Sequence, residues 1–125
     1  VNIPVPDLIY AYGLYFFAVL RRNHSNIIAL YASPLDMLAS VENHIHIEVR
    51  KLYPGAELPT FKIVKKEEKF MEMIYYSDRG LYMFAKALIE KTFEHFDKNA
   101  SINYKLLKED GTEVLFLISE NNDRQ

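Results

Sequence analysis

The chain contains no cysteine and no tryptophan among its 125 residues. The missing thiols exclude disulfides, thiolate ligation of a metal and cysteine nucleophiles together. They also fit a reducing, cytoplasmic compartment. Glycine is scarce, at four residues, and no Gly-rich phosphate loop or nucleophile elbow occurs, so the common enzyme signatures are absent. Neither sign of charge dominates: 15 Lys and Arg against 17 Asp and Glu leave a formal net charge of −2, which argues against a nucleic-acid surface. No apolar run approaches the ~18 residues of a membrane span. Leu14 to Leu20 is too short, and Arg21 and Arg22 close it. No secretory leader is visible, and no repeat, linker or low-complexity stretch interrupts the pattern. Half of the residues are hydrophobic, enough for one domain with a substantial core.

Helical signals come first. Pro4 and Pro6 stiffen the entry, Asp7 suits a helix start, and Leu8 to Leu20 is apolar or aromatic almost throughout, as in a helix buried on several sides. Gly13 interrupts that run, either to let a neighbouring helix pack closely or to admit a flat ligand. A short helical piece follows over Asn26 to Tyr31. Ser33-Pro34-Leu35-Asp36 reads as an N-cap with proline in the first turn. The helix it starts carries Leu35, Leu38, Val41, Ile45, Val49 and Leu52 on one stripe, and Tyr53-Pro54-Gly55 stops it. The period then changes to two over Phe61 to Lys65 and Lys69 to Tyr76, a hairpin turning on the solvated charges Lys66-Glu67-Glu68. A helix from about Asp78 to Phe96, with Leu81, Phe84, Leu88 and Thr92 on one face, precedes a second hairpin, Ser101 to Leu107 and Thr112 to Ser119, across Glu109-Asp110-Gly111. The order ααα-ββ-α-ββ predicts an α+β domain, residues 1–119, with helices packed on a four-stranded antiparallel sheet and a disordered tail over 120–125.

On a continuous helix of about 100° per residue, His46 lies near Leu35 at the edge of the apolar stripe. His44 lies roughly 160° away from it, beside Lys51 and Glu48. His46 is thus the inward histidine. Such a residue is ordinarily a satisfied core or boundary group. A bare-metal chelate through His44-x-His46 requires a strand, because positions two apart diverge on a helix. His24 and His95 have no evident partners.

Downstream, Tyr75-Tyr76-Ser77-Asp78-Arg79 places a tyrosine, a serine and an arginine at alternate positions. The bland account makes Tyr75 a core tyrosine at a strand end and Ser77 the N-cap of the following helix. The two roles are compatible, because a helix N-terminus also favours an anion. One neutral imidazole together with three donors suits a metal macrocycle bearing carboxylates: the imidazole takes the iron of haem, while hydroxyls and a guanidinium take the propionates. Bidentate pairing favours Arg over Lys in that position. Ser77, Asp78 and His46 do not make a hydrolytic triad, since adjacent Ser and Asp do not hold a histidine between them.

From about Val1 to Ile118 the chain resembles the H-NOX domains, haem-based sensors of nitric oxide and oxygen related to the haem domain of soluble guanylate cyclase. The resemblance is carried by His46-Ile-Glu-Val-Arg-Lys-Leu-Tyr-Pro-Gly-Ala-Glu-Leu-Pro59-Thr-Phe and by Tyr75-x-Ser77-x-Arg79 at its fixed distance downstream. It implies haem b held by His46, propionates bound by Tyr75, Ser77 and Arg79, and a macrocycle pressed by Pro59. Phe84 matches the position where oxygen-holding members carry a tyrosine, with Phe16 and Leu20 across the pocket and Leu88 beside it. Family members carry helices ahead of the segment that begins here at Val1. The aromatic helix is therefore expected to lack part of its cover and to pair with a second copy, or else to close on itself.

The function expected from this resemblance is a gas sensor without catalysis of its own. It binds nitric oxide, accommodates carbon monoxide and holds no stable oxygen. It signals by movement of the His46 helix to a separate partner, a histidine kinase or a cyclic-di-nucleotide enzyme. The competing account is a non-haem interaction module whose aromatic groove takes a peptide or lipid-like ligand.

Overall fold

A computed structural model describes residues 5–23, 25–52, 54–55, 59–78 and 80–121. Helix α1 (Val5–Asn23) has Asp7 in its first turn and Arg21 and Arg22 in its last, each sign at the end where the helix dipole favours it. After α2 (Ser25–Ile28) comes α3 (Pro34–Ala39), whose N-cap Ser33 accepts the Asp36 backbone N–H at 3.2 Å.

The long third helix expected from the sequence is divided. The Ser40 hydroxyl donates to the Asp36 carbonyl at 3.0 Å, occupying the acceptor that the Ser40 N–H would use in an unbroken α-helix. The next turn widens: the Ser40 carbonyl accepts from both His44 (2.9 Å) and Ile45 (3.2 Å). Val41–Ile45 is consequently a π-helical turn, and α4 (His46–Leu52) begins immediately after it.

Strands β1 (Thr60–Lys66), β2 (Phe70–Tyr76), β3 (Ala100–Leu106) and β4 (Glu113–Glu120) form one antiparallel sheet in the order β1-β2-β4-β3. The second hairpin is shifted slightly from its expected bounds. Glu120 closes β4 instead of opening a tail, and the Asn121 N–H reaches the Asn99 carbonyl at 2.8 Å; residues 122–125 lie outside the described residues. Alternation puts Met71, Met73 and Tyr75 of β2 and Val114, Phe116 and Ile118 of β4 on the inner face. Helix α5 (Tyr82–His95) covers that face with Ala85, Ile89 and Phe93, and α3 adds Leu35 and Leu38.

Helix α1 forms a further layer on α5. Gly13 makes this possible: a Cβ there would stand 2.7 Å from the Ala87 Cβ and 2.8 Å from the Phe84 carbonyl oxygen. Of the two roles open to Gly13, close helix packing is the one observed. The Tyr10 hydroxyl donates to Glu90, which also pairs with Lys86 at 2.5 Å. That bond, with some desolvation, pushes the Tyr10 phenol up to about 12. The neutral phenol is the bonded form, so the clasp persists at neutral pH and is lost as the pH rises through about 12.

Candidate cofactor site

His46 is 7% exposed although it borders a short, interrupted helix. The π turn explains this. One extra residue in a turn rotates everything after it by roughly 100° relative to a continuous helix. That rotation turns His46 away from its place on a continuous helix, and the side chain is buried against Phe61. Helical periodicity alone thus selects the inward histidine.

The imidazole meets Phe61, with ring centroids 5.9 Å apart, and Phe61 in turn meets Tyr75 at 5.4 Å. Phe61 and Tyr75 are direct partners across β1 and β2, so the sheet register itself sets this stack. Phe61 was not anticipated as part of the site, although its alternation with Ile63 marks it as inward. Pro59 sits half-buried immediately before β1.

Tyr75 is 1% exposed, and burial raises its pKa. Hydrogen bonds from the Ser77 side chain and the Leu81 backbone oppose that rise. Bonds that lower a phenol's pKa are donated to its oxygen. The Ser77 side chain and the Leu81 backbone thus both act on the Tyr75 hydroxyl, just ahead of α5. Ser77 does not cap that helix as the sequence suggested: α5 begins at Tyr82, with Leu81 in the cap position and no side-chain cap. Gly80, in the left-handed region at φ 62, ends a tight turn from Ser77 and delays the helix. Arg79 lies outside the described residues.

The second group of candidates lies on α1 and α5. Phe16 and Phe84 pack at 5.6 Å, and Tyr12 meets Phe84 at 5.7 Å. Leu20 and Leu88 pack on the cluster of Phe17, Ile28 and Met37, as does Ile45, the residue preceding His46. Ile45 thereby joins the two groups, which no ring contact links among the described residues. His44 and His95 depart from expectation. The His44 Nδ1 is hydrogen-bonded to the Tyr31 hydroxyl, and His95 is half-buried edge-on to Phe17 and Phe96. His24 is outside the described residues.

The donor set discriminates between kinds of metal group. A bare ion needs several protein ligands, and among the described residues no three His, Cys, Asp or Glu side chains gather. Iron in a macrocycle brings four nitrogens of its own and needs one axial base from the protein, with donors for its carboxylates. His46 and the Tyr75–Ser77–Leu81 group fit that requirement. A separate cavity of about 280 Å³ is lined by Glu90, Glu94, Asp97 and Lys98 at the end of α5, and none of the candidate residues lines it. Among the described residues, no helix is long and apolar enough to cross a membrane.

Comparison with known proteins points to the same class of cofactor. The family model described as Haem-NO-binding matches residues 1–104. The chain is similar to the unliganded ferrous H-NOX protein of K. algicida, with 46% identity and a TM-score of 0.94, covering 97% of this chain and 65% of that one. It is similar also to the H-NOX of Shewanella woodyi in its Fe(II)CO state, at 30% identity and TM-score 0.78, covering 95% and 63%. The S. oneidensis H-NOX protein in its Fe(II)NO state shares the fold at 24% identity and TM-score 0.87, covering 97% and 68%. The chain thus spans about two thirds of the length of these relatives. No curated protein matches the sequence.

Proposed function

We propose that this chain, which belongs to the Haem-NO-binding (H-NOX) family of haem-based gas sensors, senses nitric oxide through haem b held by His46. The observation that carries the proposal is the row of buried His46, Phe61 and buried Tyr75, with Ser77 and Leu81 acting on the Tyr75 hydroxyl. When bound, haem would supply a ferrous iron able to take a diatomic gas, with His46 as its protein base. His46 serves as that base, and its burial excludes water as a competitor. Tyr75, Ser77 and Arg79 hold the propionates. Pro59, just ahead of β1, would press on the ring system. A shift of α4, the helix that His46 opens, would be the signal. The receiver is a separate histidine kinase or cyclic-di-nucleotide enzyme, met in the cytoplasm.

Gas selectivity follows from Phe84, Phe16, Leu20 and Leu88, none of which can donate a hydrogen bond to a partly negative oxygen ligand. The matching family model is described as Haem-NO-binding, and the related H-NOX protein of Shewanella woodyi takes carbon monoxide at ferrous iron, which supports the same two ligands here. Exposed to air, the reduced protein should oxidise without a lasting oxygenated spectrum, and Phe84→Tyr should prolong one. A persistent oxygenated spectrum in the unaltered protein would contradict the assignment.

One face of α1 favours self-association. Val5, Leu8, Tyr12 and Tyr15 recur at helical spacing and are 65%, 51%, 59% and 62% exposed, an apolar strip that tends to find a partner. Sedimentation should show a dimer that Tyr15→Glu dissociates; a monomer at high concentration would refute this. The same strip would suit a non-haem peptide-binding module, which differs in taking up no haem.

A further inference from the structure

The π turn that aims His46 is fastened from outside its own helix. Ser40 starts the turn through the bond to the Asp36 carbonyl, but both groups lie on the same segment. A second hold comes from the α2–α3 connection. The Tyr31 hydroxyl is bonded to the His44 Nδ1, and the two rings lie 5.6 Å apart at 55°. His44 is a member of the π turn, two residues ahead of His46. Tyr31 itself packs on the Phe17–Ile28–Met37 cluster, beside Ile45, Leu20 and Leu88. The clasp therefore ties the widened turn to the helical layer formed by α1 and α5.

A π turn is a less usual state of helical backbone than an α turn, and it persists where surrounding contacts hold it. Slipping back to α geometry would rotate His46 by roughly 100°, away from its buried position against Phe61. We propose that Tyr31 and His44 are positioning residues: their hydrogen bond holds the Val41–Ile45 π turn and thereby keeps the His46 imidazole aimed inward. This rests on His46 being the axial base and adds what fixes its direction. The pairing was not visible in the sequence, where His44 falls on the polar side of a continuous helix.

The test uses the full chain without haem, so that it stands apart from the cofactor assignment. Diethyl pyrocarbonate acylates accessible imidazole nitrogens, and peptide mass spectrometry reads each histidine separately. Tyr31→Phe keeps the ring and removes the hydroxyl; it should raise the modification rate of His46 by roughly tenfold, the scale of one hydrogen bond. His44→Asn keeps a hydrogen-bonding group where Nδ1 stood and should leave the His46 rate within about twofold, the bond being largely retained. His95 should not change in either variant. An unchanged His46 rate in Tyr31→Phe would overturn the proposal. So would an equal rise at His95, or a rise in His44→Asn as large as in Tyr31→Phe. With ferrous haem added, the iron–histidine stretching band should shift in Tyr31→Phe and recover its position in His44→Asn. Failure to take up haem would sink the proposed function, while the His46 rates would still decide the role of the clasp.

Discussion

Gly13→Val is expected to destabilise the fold by about 3 kcal/mol or more, at the upper end of what overpacking a core usually costs. The smallest added side-chain atom already meets the Ala87 Cβ at 2.7 Å and a backbone oxygen at 2.8 Å. Both belong to α5, whose opposite face is pinned on the sheet. Neither helix can yield without opening the Phe16–Phe84 contact. Gly13→Ala should cost less, because alanine returns up to about 1 kcal/mol of helix propensity. Thermal unfolding measures the difference: for a domain of this size the valine variant should melt roughly 10 °C lower. A valine variant as stable as the original would mean that α1 and α5 do not approach this closely.

His46→Ala should reduce haem retention by more than the roughly 10–100-fold typical of losing a supporting group, since it removes the ligand itself. Added imidazole should restore the bound spectrum, because the space left by the ring accepts it. Arg79→Ala should cost less, on the scale of the ~1.5–3 kcal/mol of a hydrogen bond to a charged group. Transfer of haem to an apo-globin scavenger gives both rates. Equal retention in His46→Ala and the original protein would remove His46 from the metal.

Much of the architecture was legible because it depends on local chemistry. The Ser33 cap, the change of period after Pro59 and the turn at Gly111, with φ 78, all appear where the residues place them. Tyr75 follows from strand alternation. What escaped were departures from regular geometry that no single residue signals. Ser40 lies mid-helix in the sequence, yet its hydroxyl competes for a backbone acceptor, and the helix divides there. Ser77 has the chemistry of an N-cap, but the left-handed Gly80 intervenes before α5. Gly80 is held against the β3–β4 turn, where a Cβ would stand 2.9 Å from the Asp110 carbonyl. The Tyr31–His44 contact joins residues separated by a helix, beyond the reach of periodicity.

Stepwise addition of ferrous haem to the reduced chain, followed by nitric oxide, tests the central claim most directly. An intense Soret band should grow, saturate at one haem per chain and move when nitric oxide is added. The claim would be contradicted by a spectrum that remains that of free haem throughout, while circular dichroism shows the chain folded.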